Sequence, residues 1–183
     1  TEKNRKPVDI NEFNEAEKSH RNLSRTASAG LFKGGLADTS EQSTKYHTAT
    51  HLLLSALRKV LGTHVYQRGS NITPERLRLD FPNEEKLTDE QIKEIEHIVN
   101  EQIRLKQPIT FEEMRKQDAL SIVSFAAFED KYGDILKVYY IGPKDNPFSV
   151  VICNGPHVKN TSELGEFKIV KQESIGSGIK RIK

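Results

Sequence analysis

Apolar and polar positions along the 183-residue chain follow two periods, one helical and one alternating. Residues 1–21 are polar apart from Val8, Ile10, Phe13 and Ala16, which predicts a short, weakly docked helix over about 11–23. Ala27–Leu36 reads as a loop; Gly34-Gly35 beside Lys33 suits a phosphate cradle or, with no nucleotide motif around it, a linker bend. Asp38, Thr39 and Ser40 supply helix-start chemistry ahead of Glu41 and Gln42. From Ser43 to Leu61 apolar residues recur at 46, 49, 53, 56, 57 and 60, a strong helix that Gly62 stops. His64–Ile72 alternates as a strand, and Arg76–Phe81 alternates again after the turn at Thr73-Pro74. Thr88–Lys106 is an amphipathic acidic helix, with Thr88 and Gln91 spaced for a capping box. Strands are expected over 108–112, 135–141, 148–152 and 166–170, with a helical piece near 115–128. These elements predict an α+β class with a mostly antiparallel sheet, an N-terminal helical or linker segment over 1–40 and one domain over 41–183.

Composition narrows the function. Cys153 is the only cysteine, which excludes a disulfide framework and a Cys-rich zinc finger, and a free thiol points to a reducing compartment. No apolar run approaches the roughly 20 residues that span a bilayer, and no secretory pattern opens the chain. A chain that opens on Thr1 reads as a piece of something larger. The formal charge of +2 is too small to show nucleic-acid binding, but it is unevenly spread. Residues 84–106 carry seven acids against four bases, and 159–183 carry six bases against three acids, so RNA, if bound, would meet the C-terminal end.

Two short patterns carry candidate chemistry. His47 and His51 lie four residues apart on the strong helix, so both imidazoles project from one face, one turn apart. Cys153 and His157 follow a strand, and Gly155-Pro156 between them make a turn that folds both side chains back. Three imidazoles and a thiol are the borderline-soft donors that suit Zn²⁺. The competing readings are histidines on a buried helix face and a small buried hydrophobe at Cys153. His20, His64 and His97 have no such company and read as structural or surface residues.

HTATHLLLSALRKVLGTHVYQRGSNITPERLRLDF at 47–81 resembles the start of the alanyl-tRNA synthetase editing domain. DKYGDILKVYYIG at 130–142 and CNGPHVKNTSELGEFKIVKQESIGSGIKRI at 153–182 resemble its later blocks, in the same order. That fold is shared with free-standing AlaX-type proteins and with threonyl-tRNA synthetase; the run FKGGLADTSEQSTKYHTATHLL is more similar to the synthetase. Nothing resembles an aminoacylation core or an ATP site, which would place the parent's alanine–tRNA ligase chemistry elsewhere.

The resemblance implies a cytoplasmic hydrolase that clears Ser-tRNA(Ala) and Gly-tRNA(Ala), partnered by the tRNA(Ala) acceptor end and by the remainder of the synthetase chain. A pocket shaped for alanine cannot exclude the smaller glycine and rejects serine's extra hydroxyl only modestly, so a second sieve is needed. It implies His47, His51, Cys153 and His157 as zinc ligands, Thr50 as a hydroxyl that distinguishes serine, and Gln67, in the strand after the helix, as a polar pocket residue. Backbone N–H groups around Gly155 would face a developing oxyanion. The family's commoner last motif is Cys-Gly-Gly-Thr-His; Asn154 and Pro156 depart from it, and Val150-Val151-Ile152 stands where an acid often precedes the cysteine. Gly176–Arg181 reads either as a basic loop reaching the tRNA 3′ end or as a sheet-edge strand, and Lys33, Arg68 and Arg78 as backbone contacts. A non-catalytic tRNA-positioning module with structural zinc and a threonyl-type or AlaX-type trans-editing hydrolase are the alternatives.

Overall fold

The computed structural model describes Glu15, residues 36–123 and residues 133–183. The chain divides into two compact units, Thr1–Phe32 and Lys33–Lys183, and the second carries both sheets and the helices that pack on them. Most of the expected helix over 11–23, the Gly34-Gly35 bend with Lys33, His20 and the end of the helical piece near 115–128 lie outside the described residues.

Helix α1 spans Glu41–Leu61. Ser40 caps it by accepting from the Ser43 N–H at 3.2 Å, and Asp38 in turn accepts from the Ser40 N–H and hydroxyl. Gly62 ends the helix at φ 117°, a left-handed conformation that favours glycine, and returns its N–H to the Arg58 carbonyl. Strands β1 (Gly69–Thr73) and β2 (Arg76–Pro82) form a hairpin. Helix α2 spans Asp89–Arg104, and the Thr88–Gln91 capping box is formed as the spacing predicts. Strand β3 (Ile109–Arg115), helix α3 (Lys116–Ile122), β4 (Ile135–Ile141) and β5 (Ser149–Ile152) follow. A 3-10 turn at Thr161–Leu164 leads to β6 (Gln172–Gly176) and β7 (Ile179–Ile182).

The strands form two antiparallel sheets, ordered β1-β2-β7-β6 and β3-β4-β5. The α+β class and antiparallel pairing are as expected; the division into two sheets is not written in any single strand. The main core joins α1, α2 and the inner face of the first sheet. Leu52, Leu53, Leu57, Val65, Leu79, Phe81, Ile95 and Val99 are fully buried there. Each large apolar side chain removed from water contributes about 1.5–3 kcal/mol. A smaller cluster of Ala119, Val123, Leu136, Val138 and Tyr140 covers one face of the second sheet. Ser55 of α1 donates to Ser149 of β5 at 2.8 Å, fixing the helix beside that sheet. Among the described residues no helix is long and apolar enough to cross a membrane.

Three expected strands change. His64–Gln67 is irregular, because Arg58 Nη1 bonds the carbonyls of Thr63 and Val65 and so holds that segment against α1 without a strand partner. Gln67 therefore lies in a loop before β1 rather than in a strand. Residues 166–170 run along α2: Phe167 N–H and Ile169 N–H donate to the side chains of Asn100 and Glu96, so no ladder forms there. Gly176–Arg181 turns into β7, which sits between β2 and β6, so it is an interior strand of the sheet rather than an edge.

Candidate metal centre

The helical spacing of His47 and His51 sets their rings side by side on α1, with centroids 5.0 Å apart. β5 ends at Ile152, Cys153 follows, and the Asn154–Pro156 turn brings His157 back to stack on His47 at 4.3 Å. His157 also lies 5.0 Å from His51. One donor atom from each of His47, His51, Cys153 and His157 falls within 4.8 Å of the others. Cys153 Sγ is 3.2 Å from His47 Nε2. His47, His51 and Cys153 are buried, at 2%, 7% and 8% exposed, and His157 is half-buried.

The hydrogen bonds fix which nitrogen of each ring faces inward. Pro156 offers only a carbonyl, so His47 Nδ1–H donates to it at 3.0 Å and Nε2 keeps its lone pair toward the sulfur. Thr48, fully buried, does the same for His157. Its one proton goes to the Thr44 carbonyl at 3.2 Å, and its oxygen accepts from Val158 N–H at 3.2 Å. The remaining lone pair accepts His157 Nδ1–H at 3.1 Å, which leaves His157 Nε2 bare. His157 Nε2 and both ring nitrogens of His51 are buried with no partner among the described residues. An orphaned buried polar group costs about 1–3 kcal/mol, so three of them in one place suit a site that awaits a ligand.

Burial pushes His47 from the usual 6.5 to about 4, against the pull of the Pro156 carbonyl. His51 and His157 are driven well below 6.5 by burial and by neighbouring histidines. Burial raises the Cys153 thiol to about 11, opposed by the N–H groups of Gly155 and Asn154. At neutral pH the metal-free centre is thus three neutral imidazoles and a thiol, donors that a divalent cation would organise by drawing off the thiol proton. The residues fit Zn²⁺ in number, type and inward-facing lone pairs.

Gly155 admits no side chain. A Cβ there would lie 2.2 Å from His47 Cε1 and 2.6 Å from His47 Nδ1. Its N–H points at Cys153 Sγ, 3.4 Å away. Pro156 contributes through its carbonyl, a group every residue carries, so this departure from the commoner motif leaves the His47 contact intact. Thr50 is buried on α1 and donates its proton to the Tyr46 carbonyl at 2.8 Å, leaving lone pairs to offer. Gln67 is half-buried, outside the four-donor group, and donates to Ser70 Oγ at 3.1 Å. Sequence reasoning missed Thr48, whose partners lie 109 and 110 residues away, and Tyr139, whose ring stands edge-on to His157 at 4.4 Å. Burial and the nearby Cys153 raise the Tyr139 hydroxyl above its usual 10.

The profile described as the threonyl and alanyl tRNA synthetase second additional domain matches residues 136–183, which contain Cys153 and His157. The alanine–tRNA ligase of Treponema denticola is 53% identical over 176 residues, 96% of this chain, and that of Borrelia hermsii 49% over the same span. The chain thus corresponds to a segment of alanyl-tRNA synthetases. The Petrotoga mobilis alanine–tRNA ligase is 49% identical over 138 residues, 75% of the chain. The chain spans 29% of the length of the first two relatives and 15% of the third. As a synthetase segment it joins a helix-borne pair of donors to a pair carried by the matched second additional domain, and only the fold makes them one centre.

Proposed function

We propose that this synthetase segment hydrolyses the ester joining serine or glycine to tRNA(Ala), with Zn²⁺ held by His47, His51, Cys153 and His157. The reading places the activity in the cytoplasm, in residues 41–183, alongside the remainder of a longer synthetase chain. The observation that carries it is the convergence of four donors, three of them on buried residues, with three nitrogens that have no partner among the described residues, in a chain similar to a segment of alanine–tRNA ligases. When bound, the ion supplies Lewis acidity that polarises an ester carbonyl and makes water more acidic.

The chain's own residues do the rest. The Pro156 carbonyl and Thr48 hold His47 and His157 in the tautomers that turn Nε2 inward. Gly155 leaves room for the His47 ring, and its N–H is aimed at the cysteine sulfur, which gives it the thiolate to stabilise ahead of any oxyanion. Thr50, its proton already donated to Tyr46, offers an acceptor that serine's hydroxyl can fill and alanine's methyl cannot. Gln67 lines the approach.

The metal-loaded chain is expected to deacylate Ser-tRNA(Ala) and Gly-tRNA(Ala) and to spare Ala-tRNA(Ala). A chain carrying one zinc that hydrolyses neither overturns the reading. Cys153→Ala is expected to lose both metal and hydrolysis; unchanged metal by elemental analysis removes Cys153 from the ligand set. One observation favours a second reading: four protein donors fill a tetrahedron, the arrangement of structural zinc. The domain would then position tRNA without turnover, and Ser-tRNA(Ala) would bind the loaded chain and persist.

A further inference from the structure

One donor of the metal centre is held by less backbone structure than the other three. His47 and His51 ride on α1, and Cys153 is tied to β4, because its N–H donates to the Lys137 carbonyl at 3.1 Å. His157 stands on irregular backbone beyond β5 and is the one half-buried member of the set. Its Nδ1–H bond to Thr48 fixes the tautomer and one point of the ring. The last torsion of a histidine side chain has a broad energy well, so a single bond leaves the ring free to tilt about that point. Tilt would carry Nε2 away from the other three donors.

Strand β4 supplies a second hold. Its side chains alternate between two faces, and Leu136, Val138 and Tyr140 are buried in the cluster with Ala119 of α3. Tyr139 occupies the opposite face and meets His157 edge-on, with centroids 4.4 Å apart and planes at 64°. The register seats Tyr139 between Phe111 of β3 and Val151 of β5. Phe111 tilts against it at 5.2 Å, and Lys137 lies over the Phe111 ring at 4.9 Å while reaching Glu113 at 3.5 Å. A row of rings thus runs inward from Phe111, 49% exposed, through Tyr139 to His157 and the His47 stacked on it. Ring contacts of this kind depend on orientation, so the row sets a plane as well as a position.

We propose that Tyr139 is a positioning residue of the metal centre: its ring, backed by Phe111, fixes the tilt of His157 and so aims Nε2 inward. The inference rests on the four-donor reading of the site and assigns a holder to the one donor that irregular backbone carries beyond the Cys153 turn. The neighbouring Tyr140, on the other face of the same strand, is its internal control.

The test is zinc affinity by chelator competition, with the visible absorption of the Co²⁺-loaded chain as a report of coordination geometry. Tyr139→Leu keeps an apolar side chain and removes the ring; it should weaken zinc about tenfold and dim the Co²⁺ bands. Tyr139→Phe keeps the ring and should restore both. Tyr140→Leu removes a buried ring from the other face, so it should lower the denaturant midpoint and leave zinc affinity and the Co²⁺ bands at wild type. Wild-type zinc affinity in Tyr139→Leu overturns the proposal. So does a Tyr139→Phe variant as weak as Tyr139→Leu, which would give the role to the hydroxyl. An equal loss in Tyr140→Leu also overturns it, by reducing Tyr139 to a support of the sheet. A wild-type chain that takes up no zinc fails the four-donor reading itself, a result distinct from all three.

Discussion

Two fully buried threonines stand on either side of the segment that carries Cys153 and His157, and they differ in what they leave open. Thr161 donates to the Gln102 carbonyl at 2.7 Å and accepts the Gln107 N–H at 2.8 Å, and Asn160 and Glu163 cap each other beside it. No buried side-chain polar atom of that junction lacks a partner, and its product is a fixed connection between α2 and the 3-10 turn. Thr48 is as fully bonded, but the ring it orients presents a bare Nε2 to a pocket of equally bare nitrogens. Satisfaction all the way through marks a structural junction; satisfaction that stops one atom short marks a binding centre.

The largest expected break in this contrast is Gly155→Ala. Its methyl overlaps the His47 ring, so the metal-free chain should lose about 3 kcal/mol in denaturant unfolding and bind no zinc. Gly176→Ala, where a Cβ meets nothing within 4 Å, should stay near wild type. Next comes acid. Below pH 6.5 the unfolded chain protonates histidines that the folded metal-free centre keeps neutral, so stability falls as pH drops toward 4. His47 alone, shifted from 6.5 to about 4, accounts for roughly 3 kcal/mol at the bottom of that window. Denaturant midpoints that stay level from pH 7 to pH 5 would refute the buried neutral centre.

The smallest change separates the two threonines most cleanly. Thr161→Val and Thr48→Val should each cost about 1–3 kcal/mol, because both strand buried partners. Only Thr48→Val should also weaken zinc, by roughly 10–100-fold in chelator competition, and Thr48→Ser should restore it. Equal zinc affinity in both valine variants would reduce Thr48 to a structural residue like Thr161.

How much was legible in the sequence depends on the range of the forces. The helix period alone put His47 and His51 on one face, and the Gly-Pro turn put Cys153 near His157, because both relations are local. The capping box at Thr88 and the strand over 135–141 were local too, and both form as expected. Thr48 was illegible because its role needs Val158 and His157, more than a hundred residues on. The expected strand over 64–72 forms only from Gly69 on, and the one over 166–170 does not form, for a related reason: side chains of Arg58, Asn100 and Glu96 take the backbone groups that a ladder would have used. Alternation records which side chains are buried, and it is silent on who bonds the main chain between them.

Half of the donor set lies on α1 and half after β5, and His47 and Cys153 are 106 positions apart. An ion held by both halves is a reversible cross-link that closes most of the domain into a ring. A covalent bridge over a loop of that size removes about 4.7 kcal/mol of disorder from the unfolded chain. Through such an ion, the centre would become a stitch between α1 and the last hairpin's approach. Stripping it should be felt as faster unfolding in the opening of α1 from β5, the seam at Ser55 and Ser149, before any change at the Thr161 junction.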